Sequence, residues 1–366
     1  MCMNNISLSK SKLFLFSFLF FLALFVGCSD MLGGYDRYIY GELFDIIHDH
    51  RIGLINMESE FYQSEKGYMM INYLISFITG NRYIFILIYT LLLYITIFLS
   101  FKDYMENYPI ALVMFLALLF FFTFTYLRQV MAVTIVWYSV RYIYKRKLIQ
   151  FLILIIFASS FHNSAFIFLP VYFMPVIKFK RKLVIIAMVV FLLLGISPLP
   201  GILFSSFGGM IGTEDRVEQY TGDYDAIGGG FRIEYIIEAV FFLYIILRNY
   251  NILPMNNKTV ILQNIAIFFC GILLLFVRSS SGGRLSWYFM IGLIATVTSI
   301  IVNLSNNSIT NFMKIICFLL YFRIVLYWGI LLSPYKTFFT NGHRKDDYIF
   351  YKYEYDIMYD QNKFYR

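Results

Sequence analysis

Apolar runs of membrane-spanning length alternate with short polar connections along most of the chain. A helix needs about 20 apolar residues to cross a bilayer, and roughly 17 to 25 are tolerated. Runs near that length predict about eleven transmembrane helices, at residues 13–29, 83–101, 108–126, 129–144, 148–161, 163–177, 183–200, 231–250, 259–277, 285–303 and 313–332. An odd number of spans places the two termini on opposite sides of the membrane.

One further apolar run, residues 68–79, is short for a span and predicts an interfacial or re-entrant helix. It belongs to an acidic segment, residues 30–81, which we expect to be an external loop. The acidic side chains of that segment are Asp36, Glu42, Asp45, Asp49, Glu58, Glu60 and Glu65.

The positions of the basic residues set the predicted orientation. Lys10 and Lys12 precede the first helix and indicate a cytoplasmic N-terminus. Alternation from there places two basic clusters, residues 141–147 and 178–182, on the cytoplasmic side, as the positive-inside rule requires. It also places the Gly-, Tyr- and acid-rich loop 201–230 and the tail 333–366 outside, so the C-terminus is predicted to be external.

Composition supports this all-α polytopic membrane fold, with residues 1–366 as a single integral membrane domain. The chain is 60% hydrophobic and 14% charged, whereas soluble domains are about 45 to 50% apolar. The net charge of +8 comes from clusters between apolar runs, which indicates membrane topology rather than nucleic-acid binding.

Cysteine and histidine spacing predicts no metal centre. The cysteines Cys2, Cys28, Cys270 and Cys317 are scattered and lack the paired spacing of metal sites or disulfide frameworks. His48 and His50 resemble a metal pair but lack an obvious third ligand. Cys28 follows a short apolar run, as in a lipoprotein cleavage box. An uncleaved first helix is preferred because many later segments already anchor the chain.

Arg128 and His162 lie at the ends of apolar segments on either side of the basic turn 141–147. If that turn is cytoplasmic, both side chains return to the outer face. Charged groups at membrane depth are costly and usually functional or paired. The same alternation brings further polar residues to the outer face, giving the set Asp36, Arg37, Glu58, Glu60, Arg128, His162, Arg232, Arg278 and Arg284.

Arginines at the outer ends of helices suit a diphosphate, because guanidinium binds phosphate oxygens bidentately and stays charged. A carboxylate or imidazole beside them could accept a proton from a sugar hydroxyl. Structural alternatives stay open for each residue. Arg128 could snorkel at a helix end, His162 could be a polar turn residue, and Asp36 and Glu60 could be solvated carboxylates.

Four sequence blocks resemble the EpsG/Wzy-type polysaccharide polymerases of bacterial surface-glycan pathways. They are GGYDRYIYGELFD at 33–45, ESEFYQSEKGYMMINY at 58–73, the pair Arg128-Gln129 with A-x-x-F-H-x-S-A at 158–165 and Pro170, and GGRLSWYF at 282–289 followed by SPYK at 333–336. The third block is specific. Ser59 stands where the second often has proline, which leaves the choice between Glu58 and Glu60 open.

The resemblance implies a glycosyltransferase of the bacterial cytoplasmic membrane that needs neither a nucleotide sugar nor a metal. Its substrate would be a polyprenyl-diphosphate-linked oligosaccharide held in membrane lipid, with a chain-length regulator protein as a candidate partner and no nucleic acid. Repeat units would be joined into O-antigen, capsule or exopolysaccharide. We therefore assign Arg128 and Arg284, supported by Arg278, to the diphosphate and His162 to the general base. Asp36 and Glu60 are second choices for that base.

Two other functions remain open from sequence. A lipid-linked oligosaccharide flippase or other transporter would be expected to carry charges along a central path, usually in repeated halves. A membrane acyltransferase could use His162 as its base.

Overall fold

The computed structural model describes residues 6–30, 35–56, 65–200, 231–279, 282–304, 307–329, 335 and 337–339. Within these ranges the protein is all-helical, with fourteen α-helices, two 3₁₀-helices and no strand. An isolated bridge pairs Ser29 with Thr337. The predicted all-α class is confirmed. The loop 201–230 and most of the tail 333–366 lie outside the described residues.

The α-helices in chain order are α1 (Ile6–Ser9), α2 (Lys12–Gly27), α3 (Tyr35–Arg51), α4 (Lys66–Ser76), α5 (Arg82–Tyr104), α6 (Tyr108–Leu118), α7 (Phe122–Thr125), α8 (Leu127–Tyr144), α9 (Leu148–Ser159), α10 (Arg181–Ile196), α11 (Ile233–Arg248), α12 (Asn257–Leu275), α13 (Met290–Asn303) and α14 (Asn307–Trp328). The 3₁₀-helices are η1 (Asn163–Phe173), after α9, and η2 (Gly282–Phe289), which leads directly into α13.

Short polar residues start several of these helices by accepting the first free backbone N–H groups. The Asn81 side chain accepts from the N–H of Tyr83 at 2.9 Å at the start of α5. Asn107 accepts from Ile110 at 3.1 Å before α6, and Pro109 stands in the first turn, where no N–H is needed. Helix boundaries thus follow from local sequence where a capping residue precedes an apolar run.

Four helical stretches within the described residues are long and apolar enough to cross a membrane, namely Arg82–Tyr104, Asn257–Leu275, Gly282–Asn303 and Ser308–Trp328. The count of about eleven spans is not confirmed. One reason is that the predicted span 108–126 is broken, since α6 ends at Leu118 and α7 begins at Phe122. Another is that the predicted span 163–177 is a 3₁₀-helix with Pro170 inside it.

The acidic segment 30–81 contains two helices. Helix α4 lies where the short apolar run predicted an interfacial helix. Helix α3 has no counterpart among the predicted elements. Its buried positions Tyr40, Phe44 and Ile47 recur at helical spacing, although the segment as a whole is polar.

Helix α8 occupies the middle of the described bundle. It packs against α5, α9, α12 and both 3₁₀-helices, and most of its residues are buried. Trp137, fully buried, donates from Nε1 to the carbonyl oxygen of Trp287 in η2 at 3.0 Å. The position of α8 fixes its first turn, which carries Arg128, against the elements described below.

Helices α10 and α14 differ from α8 because large apolar side chains point away from the bundle. Leu193 on α10 and Leu326 on α14 are 62% and 71% exposed. Exposure of such apolar surfaces to water is unfavourable, whereas a bilayer accommodates them. The apolar helices and this outward apolar face define a multi-pass membrane protein.

A buried ion pair ties α3 to α5. The Arg82 guanidinium donates from Nε to the Asp45 Oδ2 at 2.9 Å and forms a second bond from Nη2 to the same oxygen. Both side chains are almost fully shielded from solvent. The pair fixes the position of the polar helix α3 on the bundle.

Replacing either member of this pair with alanine should remove the ion-pair partner of the other member, whose charge stays buried. We expect Asp45→Ala or Arg82→Ala to lower the free energy of unfolding by about 3–5 kcal/mol. Thermal unfolding of the protein in lipid nanodiscs measures the effect. The double variant should be more stable than either single variant because it leaves no lone charge, and equal instability of all three would contradict the role of the pair.

Candidate functional site

Five elements meet at the end of the bundle where α8 begins. The N-terminal ends of α3, α4 and α8 contribute side chains, as do the start of η1 and the start of η2. The residues involved are Asp36, Tyr40, Glu65, Tyr68, Tyr126, Arg128, His162 and Arg284. We call this group the arginine site.

Arg128 is held on three sides. Its Nη1 donates to the Glu65 Oε2 at 2.7 Å, with Glu65 only 3% exposed. Its guanidinium carbon lies 5.2 Å from the ring centre of Tyr40 and 5.7 Å from that of Tyr68, which adds cation–π attraction. The buried Nε has no hydrogen-bond partner among the described residues. Arg128 therefore keeps a buried donor that an incoming acceptor oxygen can satisfy.

Arg284 reaches the site from η2. Its guanidinium carbon lies 5.0 Å from the ring centre of Tyr126, the residue just before α8. Its backbone carbonyl accepts a hydrogen bond from the Gln129 side chain at 3.4 Å. Arg128 and Gln129 are consecutive residues of α8. Arg128 supplies one guanidinium group of the site, and the Gln129 side chain binds the backbone of Arg284, which supplies the other.

Asp36 lies close enough to both arginines for their charges to act on its carboxyl group. Burial raises the pKa of its carboxyl group, and the nearby Arg284 and Arg128 guanidinium groups lower it to a smaller extent. Asp36 therefore holds a proton at a higher pH than an ordinary aspartate does. A carboxylate of raised basicity next to two arginines is a candidate proton acceptor.

His162 caps η1 and begins a short relay. Its Nδ1 lies 2.6 Å from the Ser164 hydroxyl and 3.4 Å from the Ser164 backbone N–H. The Ser164 hydroxyl lies 2.8 Å from the hydroxyl of Tyr288 in η2. A backbone N–H can only donate, so Nδ1 acts as an acceptor and the neutral ring carries its proton on Nε2.

Helix α4 contacts the turn that carries His162 through Gly67. The Gly67 N–H donates to the Ser160 carbonyl at 2.8 Å. A Cβ atom at Gly67 would lie only 2.8 Å from the Ser160 Cβ and 3.0 Å from its carbonyl carbon. The absence of a side chain at Gly67 allows this approach, which sets the position of Glu65 relative to His162.

A methyl group at Gly67 should force α4 away from that turn. We expect Gly67→Ala to lower the free energy of unfolding by about 1–3 kcal/mol, the usual cost of overpacking of this size. Thermal unfolding of the protein in lipid nanodiscs measures the effect. Ser160→Gly removes the colliding side chain, so the double variant should recover stability. Unchanged stability of Gly67→Ala would show that the contact is unimportant.

Arg278, another predicted residue, has a described contact in a different part of the bundle. Arg278 donates from Nη1 to the Ile196 carbonyl at 3.2 Å, which places its guanidinium against the end of α10. Glu60 lies outside the described residues, as does Glu58. No group of three or more potential metal ligands occurs within the described ranges. His48 contacts Asp49 at 3.2 Å and His50 contacts the Ile55 carbonyl at 3.3 Å.

Sequence reasoning did not single out Glu65, Tyr40 or Tyr126. Glu65 lies just before the short apolar run and is the N-cap residue of α4. Its position at the start of a helix could therefore have been predicted from the sequence. Tyr40 follows Asp36 by four residues, which puts both on one face of α3. The contact of Glu65 with Arg128 could not be predicted from the sequence, because the two residues are 63 positions apart.

The charges of the arginine site balance. Arg128 and Arg284 supply two positive charges, and Glu65 and Asp36 supply two negative charges when ionised. An anion that binds here must compete with these carboxylates for the two arginines, or one of the carboxylates must take up a proton when the anion binds. Asp36 is suited to take that proton because burial already raises its pKa.

Fold and site together define a polytopic membrane protein with a paired arginine–carboxylate site at one end of an all-helical bundle. The sequence model of the family described as the EpsG family matches residues 12–362. The chain belongs to the EpsG family, and the resemblance carried by the four sequence blocks is confirmed. Membership indicates a polysaccharide polymerase-type role with glycosyltransferase-like activity. Searches of curated proteins and of solved structures found no match.

Proposed function

We propose that this protein joins polyprenyl-diphosphate-linked oligosaccharide repeat units into a surface polysaccharide. The reaction takes place at the outer face of the bacterial cytoplasmic membrane, with the N-terminus cytoplasmic and the C-terminus external. The product is O-antigen, capsule or exopolysaccharide. No described contact favours a flippase or an acyltransferase over this reaction.

The observation that carries the proposal is the approach of Arg128 and Arg284 to the same carboxyl group, that of Asp36, in a chain of the EpsG family. Arginine forms bidentate, charge-assisted hydrogen bonds to phosphate oxygens. The two guanidinium groups come from segments far apart in sequence, α8 and η2, so their meeting is a property of the fold. A lipid-linked diphosphate at a membrane surface supplies the matching anion.

The reaction is a substitution at the anomeric carbon of the growing glycan. A hydroxyl oxygen of the incoming repeat unit forms a bond to that carbon as the bond to the carrier diphosphate breaks. The bonding electrons leave with the diphosphate oxygen, where Arg128 and Arg284 stabilise the developing charge. The hydroxyl proton passes to a carboxylate.

Asp36 is the proton acceptor in this scheme, with Glu60 as the alternative. His162 was the first choice from sequence, but its Nδ1 is engaged by Ser164. The neutral ring can donate from Nε2 and position an oxygen. Arg278 keeps only a supporting role, because its guanidinium contacts α10.

Deletion of the gene tests the function directly. A polymerase deletion should leave surface lipid capped by a single repeat unit, because single units are still made and exported. Loss of a flippase should leave no repeat unit outside, and loss of an acyltransferase should leave full-length chains lacking acyl groups. Mass spectrometry of extracted glycolipid separates these outcomes, and either of the latter two contradicts the proposal.

A further inference from the structure

A cavity of about 580 Å³ opens beside the arginine site, within the usual size range of small-molecule sites. It is bounded by α6, η2, α11 and α14. Arg284 and Tyr126 belong to its wall and also to the arginine site. The cavity therefore adjoins the proposed diphosphate position.

Carboxylates line one wall of this cavity. Glu234 and Glu238 follow each other by one turn of α11, and both border the space. Arg323 of α14 also borders the cavity and is close enough to Glu238 to act on its charge. These charged groups lie among membrane helices, where polar side chains are costly unless they serve function or pairing.

Aromatic rings form much of the remaining surface. Trp287 stacks on Phe122, with ring centres 4.5 Å apart and planes 23° from parallel, and both line the cavity together with Trp328. Glycine shapes the same wall. A Cβ at Gly283 would lie 2.5 Å from the Tyr235 hydroxyl, so a side chain at this position would displace the Tyr235 ring from the wall.

Flat aromatic faces combined with carboxylates match a sugar ring, which offers C–H groups to the rings and hydroxyl donors to the carboxylates. An isoprenoid chain fits less well, because it would cover Glu238 and Arg323 and offer them neither a hydrogen-bond donor nor an acceptor. Each buried polar group left unsatisfied costs about 1–3 kcal/mol. The shared wall residue Arg284 places this sugar next to the diphosphate.

Resting on the proposed function, we infer that the cavity bounded by η2, α11 and α14 binds the sugar attached to the carrier diphosphate, with Glu238 as a hydroxyl-recognising residue. Arg284 spans the two parts of the ligand. Glu238 contacts the sugar and determines which sugar is accepted, whereas Arg128 contacts only the diphosphate side.

Binding to the full chain in nanodiscs tests this inference. The probes are farnesyl diphosphate and farnesyl diphosphate carrying one sugar, drawn from a hexose, an N-acetylhexosamine and a 6-deoxyhexose. Tryptophan fluorescence reports occupancy because two of the three tryptophans, Trp287 and Trp328, border the cavity. At least one sugar should improve affinity by about tenfold, which corresponds to about 1.4 kcal/mol.

Glu238→Gln should remove the gain from the sugar and leave the affinity for farnesyl diphosphate unchanged, which also shows that the variant is folded. The matched control is Glu106→Gln, a carboxylate hydrogen-bonded to Ser299 at 3.0 Å and outside this cavity. It should keep both affinities. Arg128→Ala should weaken all probes by the same factor.

The inference is overturned if no sugar improves binding, or if the gain survives in the Glu234→Gln/Glu238→Gln double variant. It is also overturned if lengthening the isoprenoid improves affinity and the sugar does not. If diphosphate binding depends on Arg128 but no sugar improves the affinity, this inference is overturned and the proposed function is not. If no probe binds, the proposed function fails and the inference fails with it.

Discussion

Replacing Arg128 with alanine is expected to lower glycan polymerisation by about a hundredfold or more, since charge-assisted hydrogen bonds contribute about 1.5–3 kcal/mol each and two would be lost. The measurement is the rate of polymer formation from lipid-linked repeat units in membranes with matched protein levels. Arg128→Lys should keep the charge but lose the bidentate geometry, and its rate should fall between those of the alanine variant and the wild type.

Loss of activity alone would not separate binding from folding, because Arg128→Ala also removes an ion-pair partner of the buried Glu65. The double variant Arg128→Ala/Glu65→Gln removes the Glu65 charge as well. It should recover thermal stability while staying inactive, and recovery of activity would reduce Arg128 to a structural partner. Arg141→Ala is the matched control. Arg141 pairs with Asp103 at 2.8 Å near the other end of α8, so its loss should leave most activity.

Replacing Asp36 with asparagine should lower the rate about 10²- to 10⁴-fold, the range expected for loss of a general base. Asparagine keeps the shape of the side chain but cannot accept the proton. Glu42→Gln is the matched control because Glu42 is an exposed carboxylate on the same helix, and it should keep the wild-type rate. A wild-type rate for Asp36→Asn would contradict this assignment and would leave Glu60 as the candidate base.

The pH dependence gives an independent test of this assignment. A base is active when ionised, so activity should fall as the pH drops through the raised pKa of Asp36, above the ordinary aspartate value of about 3.9. Arg284 is the larger of the two charges that lower this pKa. The residual activity of Arg284→Gln should therefore be lost at a higher pH than that of the wild type. An acidic limb that persists in Asp36→Asn and disappears in His162→Gln would identify His162 as the base.

Much of the architecture around α8 could be predicted from sequence. The predicted span 129–144 corresponds to α8, because a buried helix between an aromatic turn and a basic turn has clear ends. The grouping of Arg128 with Arg284 at one end of the bundle was predicted from the order of the helices alone. Predicting α3 failed because its charges suggested a loop, although Asp36, Tyr40 and Phe44 repeat at helical spacing.

Other features required tertiary information. Hydropathy does not distinguish a straight span from one broken at residues 119–121, because both sides of the break are equally apolar. The ion pair between Glu65 and Arg128 and the relay from Ser164 to Tyr288 join segments that only packing brings together. Single residues pointed to an arginine site, but the identity of their partners depended on the fold.

The ion pair between Glu65 and Arg128 makes substrate binding and local structure compete for one guanidinium. An anion that draws Arg128 away from Glu65 weakens the attachment of α4 to α8, and by reciprocity a displaced α4 raises the affinity for the anion. The strength of the pair therefore sets how firmly α4 is attached to α8, and we expect an anion bound at Arg128 to weaken that attachment.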